Sequence, residues 1–296
     1  MKDIGGQAVI EGVMMKTGKV WSVAVRGPEK EIIIKKEDIR ELPKFLKLPV
    51  LRGVVTLVQM LSIGIRAILF SAEKSGIEEE TPSTMSLTLT VVVAFVLGIG
   101  LFLLLPLYGT KLLGILFASI EESSILFNLV DGIIRVAFFL IYIFCINMSK
   151  DIRRVFQYHG AEHKVVHAYE SGIELTPENV ENHSTLHPRC GTSFLIIVMA
   201  LSIMIFSFIP NEWPFLDKFF SRVILIPLVA GLSYEFVKFS SKKLNNPLIR
   251  ALAAPGLWLQ KLTTGTPSRD QIEVAISAIH EVLRADSGEK EINVAG

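Results

Sequence analysis

The sequence predicts an α-helical polytopic membrane protein with about four transmembrane helices, further interfacial helices and a small N-terminal cytoplasmic β lobe. Half of the 296 residues are hydrophobic and the mean hydropathy is +0.48, values that exclude an ordinary soluble protein. Four apolar stretches approach or exceed the ~20 residues that a helix needs to cross a bilayer. They are residues 86–107, 133–149, 194–210 and 219–237.

The first 40 residues differ in character, because β-branched residues alternate there with turn-forming residues. The segments QAVIEGVMM, VWSVAVR and EIIIKKE predict strands, and Gly-Pro-Glu-Lys between the last two predicts a hairpin connection. We therefore assign residues 1–40 to the β lobe. Its glycine-rich stretch from Gly5 to Gly12 matches neither common phosphate-binding loop. We interpret Glu11 as a structural or salt-bridging carboxylate, with a place in the chemical site as the minor alternative.

Residues 41–84 are predicted to form an amphipathic interfacial helix and a linker. The apolar segment 48–70 carries Arg52 and Arg66, which fall with other polar side chains on one side of a helix. This pattern favours a helix that lies in the membrane interface rather than one that crosses the bilayer. A re-entrant segment is the alternative.

The remaining chain divides into two predicted units. A four-span membrane domain covers residues 85–240 and contains a histidine-rich cytoplasmic segment at residues 150–193. A cytoplasmic helical tail covers residues 241–296, where Ser268 and Gln271 have the spacing of a helix-starting capping box.

The orientation follows from the lysine and arginine content of the connections. Residues 1–84, residues 149–193 and the tail are basic, whereas residues 108–132 and 211–218 are not. Because basic connections stay in the cytoplasm, both termini and the histidine-rich segment are predicted to be cytoplasmic. Arg135 is expected to extend to the interface at the entrance of the short second span.

The strongest chemical signal lies in residues 158–190, which hold five of the six histidines. His159, Glu162 and His163 form the pattern H-x-x-E-H, which occurs in metallohydrolases with two histidine ligands and a glutamate base. On a helix, residues four apart lie on one face, so His159 and His163 can bind one metal ion. His167 extends this face by one further turn.

The sequence leaves the remaining ligands open, and the candidates are His167, Glu170, His183, His187 and Cys190. Zinc is the expected metal, with another divalent ion as the alternative, since zinc accepts mixed ligation by imidazole, carboxylate and thiolate. A catalytic site keeps one coordination position open, whereas four protein ligands make a closed, structural site.

Two further residues are assigned to catalysis. Glu162 would act as the general base, and Arg189 would stabilise an oxyanion or a lipid phosphate.

The segments GGQAVIEGVMM, PVLRG, YHGAEHKVVHAYE and HPRCGTSF, together with the closing helix IEVAISAI, resemble the bacterial YqhQ family of membrane proteins across almost the full length. Members are often described as predicted metal-dependent enzymes. The resemblance implies a multi-pass protein of the bacterial inner membrane, and it implies no substrate or reaction.

Three functional hypotheses follow. The first is a zinc-dependent hydrolase that acts at the cytoplasmic membrane face on a membrane-associated peptide or lipid. The second is a non-catalytic scaffold or regulatory protein with a structural metal site, and the third is a transporter or metal sensor. Membrane lipids are expected partners, and a second copy of the chain or another membrane protein is the candidate protein partner. The net charge of +1 favours no binding to nucleic acid.

Overall fold

The structure is a computed structural model, and it describes residues 2–76, 84–210, 212–240, 243 and 246–288. Within these ranges the protein is mostly helical, with a small antiparallel sheet of four strands at the N-terminus. The predicted combination of apolar helices with an N-terminal β lobe is therefore confirmed at this level. The end of the predicted linker and the end of the predicted tail lie outside the described residues.

The four strands follow one another in both sequence and space. They are β1 (Gly5–Val9), β2 (Gly12–Lys16), β3 (Val20–Arg26) and β4 (Ile32–Asp38), and each pairs antiparallel with the next. The predicted Gly-Pro-Glu-Lys hairpin joins β3 to β4, where the Gly27 amide donates to the Glu31 carbonyl (2.9 Å). At the tight turn between β1 and β2, Glu11 has a positive φ of 49°.

Eleven α-helices occur in the described residues. They are α1 (Leu51–Lys74), α2 (Thr84–Ile99), α3 (Leu105–Leu116), α4 (Ala118–Glu122), α5 (Ser124–Ile146), α6 (Lys150–Glu170), α7 (Pro177–Val180), α8 (Gly191–Phe206), α9 (Phe215–Ser240), α10 (Pro247–Thr263) and α11 (Arg269–Ser287). A 3-10 turn (Lys44–Lys47) precedes α1, and a π-helical turn (Gly100–Leu104) joins α2 to α3. Helix α11 begins with the predicted capping box of Ser268 and Gln271.

The sheet, α6 and α11 share one hydrophobic core. Val13 of the sheet, Tyr158 of α6 and Ile279 of α11 are all buried in it. The Ser22 hydroxyl donates to the carbonyl of Ala278 (2.7 Å), which fixes α11 across β3. The N-terminal lobe and the C-terminal tail therefore meet on the helix that carries the histidines.

Three of the described helices are long and apolar enough to cross a membrane, namely Leu51–Lys74, Thr88–Leu116 and Ser124–Ile146. The protein is therefore a membrane protein. The second and third helices match two predicted spans, although α5 begins at Ser124 rather than at residue 133. The other two predicted spans are α8, which is apolar but shorter, and α9, which contains charged residues.

Helix α1 meets the length and composition of a span, where the sequence predicted an interfacial helix. Its Ile63 and Ala67 pack in a core with Trp21 of the sheet, and Arg66 donates to Glu37 of β4 (2.6 Å). One face of α1 therefore contacts the N-terminal lobe.

The prediction for Arg135 is wrong. Its side chain does not extend to an interface, because it is buried and bound to Asp131 on the same helix and to Ser202 of α8. Ser202 could not be identified as a partner because it is distant in the chain, whereas Asp131 lies one helical turn from Arg135, a spacing that could have indicated the pair.

Candidate metal centre

Helix α6 runs unbroken through the H-x-x-E-H pattern, although it contains Gly160. The glycine is explained by a close approach of the chain after α10, because a Cβ at this position would clash with the carbonyl oxygen of Gly265. The Gly265 amide also donates to the carbonyl of Phe156 (2.7 Å). The helical spacing therefore places His159, His163 and His167 on one face, as predicted.

The first candidate ligand group consists of His159, His163 and Cys190. One ligand atom from each residue lies within 4.8 Å of the others, and the Nε2 atom of His159 is 3.2 Å from the Cys190 sulfur. The imidazole rings of His159 and His163 have centroids 4.4 Å apart. Two imidazoles and one thiol are a donor set that zinc accepts.

The two histidines of this group are oriented through their Nδ1 atoms. His159 donates to the carbonyl of Thr263 (2.7 Å) and His163 donates to the carbonyl of Thr185 (2.5 Å), so each ring leaves Nε2 for another partner. The Nε2 atom of His163 is buried and has no hydrogen-bond partner among the described residues. An orphaned buried nitrogen of this kind fits a metal ligand.

Cys190 reaches the group because the segment before α8 turns back towards α6. The Cys190 amide donates to the His187 carbonyl (3.2 Å), and the residue then caps α8, with its sulfur accepting from the Thr192 amide (3.4 Å). Burial raises the pKa of the Cys190 thiol above its ordinary value. Metal binding at this sulfur would therefore release a proton.

Glu162 lies beside the first group and is only 6% exposed. Its carboxylate approaches β1 so closely that a Cβ on Gly6 would lie 2.8 Å from it, and the Gly6 backbone hydrogen bonds to it. Burial raises the pKa of Glu162 to about 8, against the opposing influence of His159.

The second candidate group consists of His167, Glu170 and His187, again with ligand atoms within 4.8 Å of one another. His187 lies 3.4 Å from Glu170, and its ring centroid lies 4.7 Å from that of His167 and 5.7 Å from that of His163. The structure thus separates the predicted ligands into two adjoining groups. Burial lowers the pKa of His163 to about 2 and that of His187 to about 4, so both rings are in the neutral, ligand form.

Two further residues that the sequence predicted for the site, Arg189 and His183, lie outside both ligand groups. Arg189 forms ion pairs with Glu170 and, at 3.3 Å, with Asp3. It therefore neighbours the second group rather than the first. His183 belongs to neither group, and its carbonyl accepts from Lys164 (2.5 Å).

Glu11, the minor candidate, lies outside both groups. Its carboxylate forms a two-pronged ion pair with Arg154 and accepts from the Tyr158 hydroxyl (3.2 Å). This position agrees with the salt-bridging interpretation.

Sequence reasoning missed Gln260 of α10. Its side chain is fully buried, accepts from the His187 amide (2.8 Å), and donates to the His187 carbonyl (2.9 Å) and to Ser193 (3.0 Å). Gln260 thus fixes the segment that leads to Cys190. The available signal was a glutamine that follows the apolar run GLWL in α10, and this does not identify its partner.

Residues 48–285 match the model of the family described as "Protein of unknown function (DUF1385)". The chain is 34% identical over 300 residues to the "Uncharacterized protein YqhQ" of Bacillus subtilis (strain 168), an alignment that covers 96% of this chain and 93% of the relative. No solved structure matches the chain significantly.

Proposed function

The chain belongs to the DUF1385 family and is similar to YqhQ over nearly its whole length, and we propose that it is a membrane-embedded, zinc-dependent hydrolase. The observation that carries this proposal is the convergence of His159, His163 and Cys190, where the buried Nε2 of His163 lacks a partner among the described residues. Three protein ligands leave one position for water or substrate, as in catalytic zinc sites.

Glu162 is the proposed general base. The carboxylate is adjacent to the ligand group but is not needed as a ligand, since His159, His163 and Cys190 already supply three donors. A zinc ion would supply a Lewis acid for a carbonyl or phosphoryl oxygen and acidify a water molecule. The positive charge of the bound ion would lower the raised pKa of Glu162. The ionised carboxylate would then take the proton from that water, and the Gly6 amide would hold it in place.

Arg189 is the proposed contact for a negatively charged substrate group. Its guanidinium is partly exposed and already pairs with Glu170 and Asp3. An oxyanion or lipid phosphate would therefore compete with the fully exposed Asp3 carboxylate. The proposed substrate is a membrane-associated peptide or lipid.

A scaffold or regulatory function is the second candidate. The observation that favours it is the distribution of the donors, because a metal ion would join α6 to the start of α8, while His159 and His163 are already bound to the segments at Thr263 and Thr185. A metal that cross-links distant segments stabilises a fold without performing a reaction. Another divalent ion and a transporter or sensor function remain further alternatives.

We propose an inner-membrane arrangement with four spans, formed by α2 with α3, α5, α8 and α9. Both termini and the metal centre would lie in the cytoplasm. Helix α1 would lie in the interface, supported by its contacts with Trp21 and Glu37 of the N-terminal sheet.

The decisive experiment compares Glu162→Gln with His163→Ala. Zinc content, melting temperature and the ability to complement a strain lacking the protein would be measured for each. The hydrolase predicts that Glu162→Gln retains metal and stability but loses complementation, whereas His163→Ala loses metal and complementation together. His280→Ala is the matched control, since His280 is exposed on α11 and distant in sequence from both groups.

Complementation by Glu162→Gln with full metal content would contradict the hydrolase and favour the scaffold. Wild-type protein that binds no divalent metal would contradict both. The ratio of metal to protein also tests the two groups. Two ions per chain would indicate that both groups bind metal, and a single ion that His163→Ala removes would assign the first group.

A further inference from the structure

A cluster of charged and polar side chains lies inside the apolar helix bundle, away from the histidines in sequence. We call it the arginine cluster; it consists of Asn128, Asp131, Arg135, Ser202 and Arg222. Asp131 of α5 binds both arginines, with Arg135 one turn further along α5 and Arg222 on α9 at 2.6 Å. Arg135 also donates to Ser202 of α8 (2.8 Å), and Arg222 donates to Asn128 (2.8 Å).

The arginine cluster is buried and its charges do not balance. Arg135 is 5% exposed, and Arg222 and Asp131 are each 1% exposed. Two guanidinium groups share one carboxylate, which leaves one positive charge in excess within the cluster. The Nε atoms of both arginines are buried without a hydrogen-bond partner among the described residues. Buried excess charge is costly in an apolar environment, so an ionised group of this kind indicates a function.

The partial compensation by aromatic rings does not remove the excess charge. Both guanidinium groups lie over the ring of Phe206, at 5.0 Å for Arg135 and 5.4 Å for Arg222. A cation–π contact attracts the guanidinium group to the ring but adds no negative charge. An anion next to the arginine cluster would therefore be bound favourably.

A cavity of about 670 Å³ adjoins the arginine cluster. Its lining comes from α2, the π-helical turn, α5, α8 and α9, and all of its lining residues are apolar except Arg135 and Ser202. The volume falls within the range of small-molecule sites, about 300–1,000 Å³. One positively charged group in the wall of an otherwise apolar cavity matches an elongated apolar molecule with one anionic end.

We propose that this cavity binds an anionic, single-chain amphiphile, with its acyl chain among the apolar side chains and its carboxylate or phosphate group at Arg135. The carboxylate of a fatty acid and the phosphate of a lysophospholipid share this chemistry. The site is independent of the metal centre, because none of its lining residues belongs to either candidate ligand group.

Binding is tested with purified full-length protein in a neutral detergent, using radiolabelled palmitate as the probe. The competitors are unlabelled palmitate, lysophosphatidylglycerol, zwitterionic lysophosphatidylcholine and uncharged hexadecanol. We expect hexadecanol to compete about tenfold more weakly than the best anionic competitor, because it lacks a charge-assisted hydrogen bond to Arg135. Stronger competition by palmitate assigns a carboxylate as the natural head group, and stronger competition by lysophosphatidylglycerol assigns a phosphate; either result supports the site.

Two glycines provide a matched pair of variants. A Cβ on Gly98 or on Gly100 would meet no atom within 4 Å, so both positions accept a larger side chain. Only Gly98 belongs to the cavity lining. Gly98→Leu should fill the cavity and reduce palmitate binding by about tenfold or more, while Gly100→Leu should bind like the wild type.

Arg135→Gln should reduce the affinity for palmitate by about tenfold, so that palmitate and hexadecanol bind about equally well. Arg135→Lys should restore part of the preference for palmitate. The Gln variant leaves Asp131 and Arg222 as a balanced pair, so it is expected to fold. If it does not fold, the glycine pair still tests the cavity. Equal competition by hexadecanol and palmitate in the wild type, or equal binding by the two leucine variants, would overturn the proposal.

Discussion

The carboxylate of Glu162 lies directly against the backbone of Gly6, so that a side chain at Gly6 would touch it at 2.8 Å. The two residues are 156 positions apart in the sequence. This contact connects the glycine-rich start of the chain to the H-x-x-E-H pattern. It also explains why a glycine occupies position 6, since only a residue without a Cβ lets strand β1 approach the carboxylate this closely.

The first prediction concerns Gly6→Ala, which should displace the carboxylate of Glu162 while the strand remains intact. A shift of about 1 Å in a catalytic group can cost roughly 100-fold in rate, so complementation should fail although metal content is unchanged. Gly5→Ala is the control, because its Cβ would meet only the Lys16 side chain at an ordinary 3.7 Å. Indistinguishable complementation by the two variants would show that the position of Glu162 does not matter.

The second prediction concerns the thiol of Cys190. It should be protected from alkylation in metal-loaded protein and become reactive after chelation, because the metal holds the thiolate. The rate of alkylation would be followed by mass spectrometry in a Cys145→Ser background, which removes the other cysteine, an exposed one on α5. Rates that do not change with chelation would remove Cys190 from the ligand group.

The third prediction concerns the stability of the metal-free protein as the pH changes. Burial raises the pKa of Glu162 from 4.5 to about 8, so the folded protein binds an additional proton between these values. The free energy of unfolding contributed by this group therefore falls as the pH rises through that window. Glu162→Gln should melt at a higher temperature than the wild type at pH 8.5, and the difference should shrink towards pH 4.5.

Thermal melting in the presence of a chelator measures this difference. The histidines change stability in the opposite sense, because their lowered pKa values make unfolding more favourable at acidic pH. They are common to both proteins, so the comparison with the variant removes most of their contribution. A melting difference that is constant from pH 5 to 8.5 would contradict the raised pKa of Glu162.

The fourth prediction concerns orientation. A cysteine placed at exposed Ser171, just after α6, should be labelled only after the membrane is permeabilised, because this connection is basic and is assigned to the cytoplasm. A cysteine at exposed Glu122, in the opposite connection, should be labelled in intact cells. Both variants would be made without the native cysteines, and the reverse labelling pattern would invert the proposed orientation.

The sequence was sufficient for features with a local cause. The helical spacing of His159, His163 and His167, the hairpin between β3 and β4, and the capping box at Ser268 all depend on neighbours a few residues away. Membership of the YqhQ family was also predicted correctly, because several distinctive motifs occur in the expected order.

The features that could not be predicted depend on distant pairs. Burial of Arg135 follows from Ser202 on another helix as well as from Asp131 nearby, and the separation of the ligands into two groups follows from how the segment before α8 folds back on α6. Length and composition also could not decide whether α1 lies in the interface or crosses the membrane, because its contacts with the sheet cannot be read from its own hydropathy.

The hydrogen bond from His159 to the carbonyl of Thr263 spans 104 residues, and this separation sets an order of assembly. During synthesis, α8, α9 and α10 must all leave the ribosome before the imidazole of His159 gains this partner. The hydrophobic core of the sheet is completed later still, because α11 supplies part of it and follows α10 in the chain. We therefore expect a nascent chain that ends before Thr263 to capture metal poorly, and metal loading to be among the last steps in maturation of the protein.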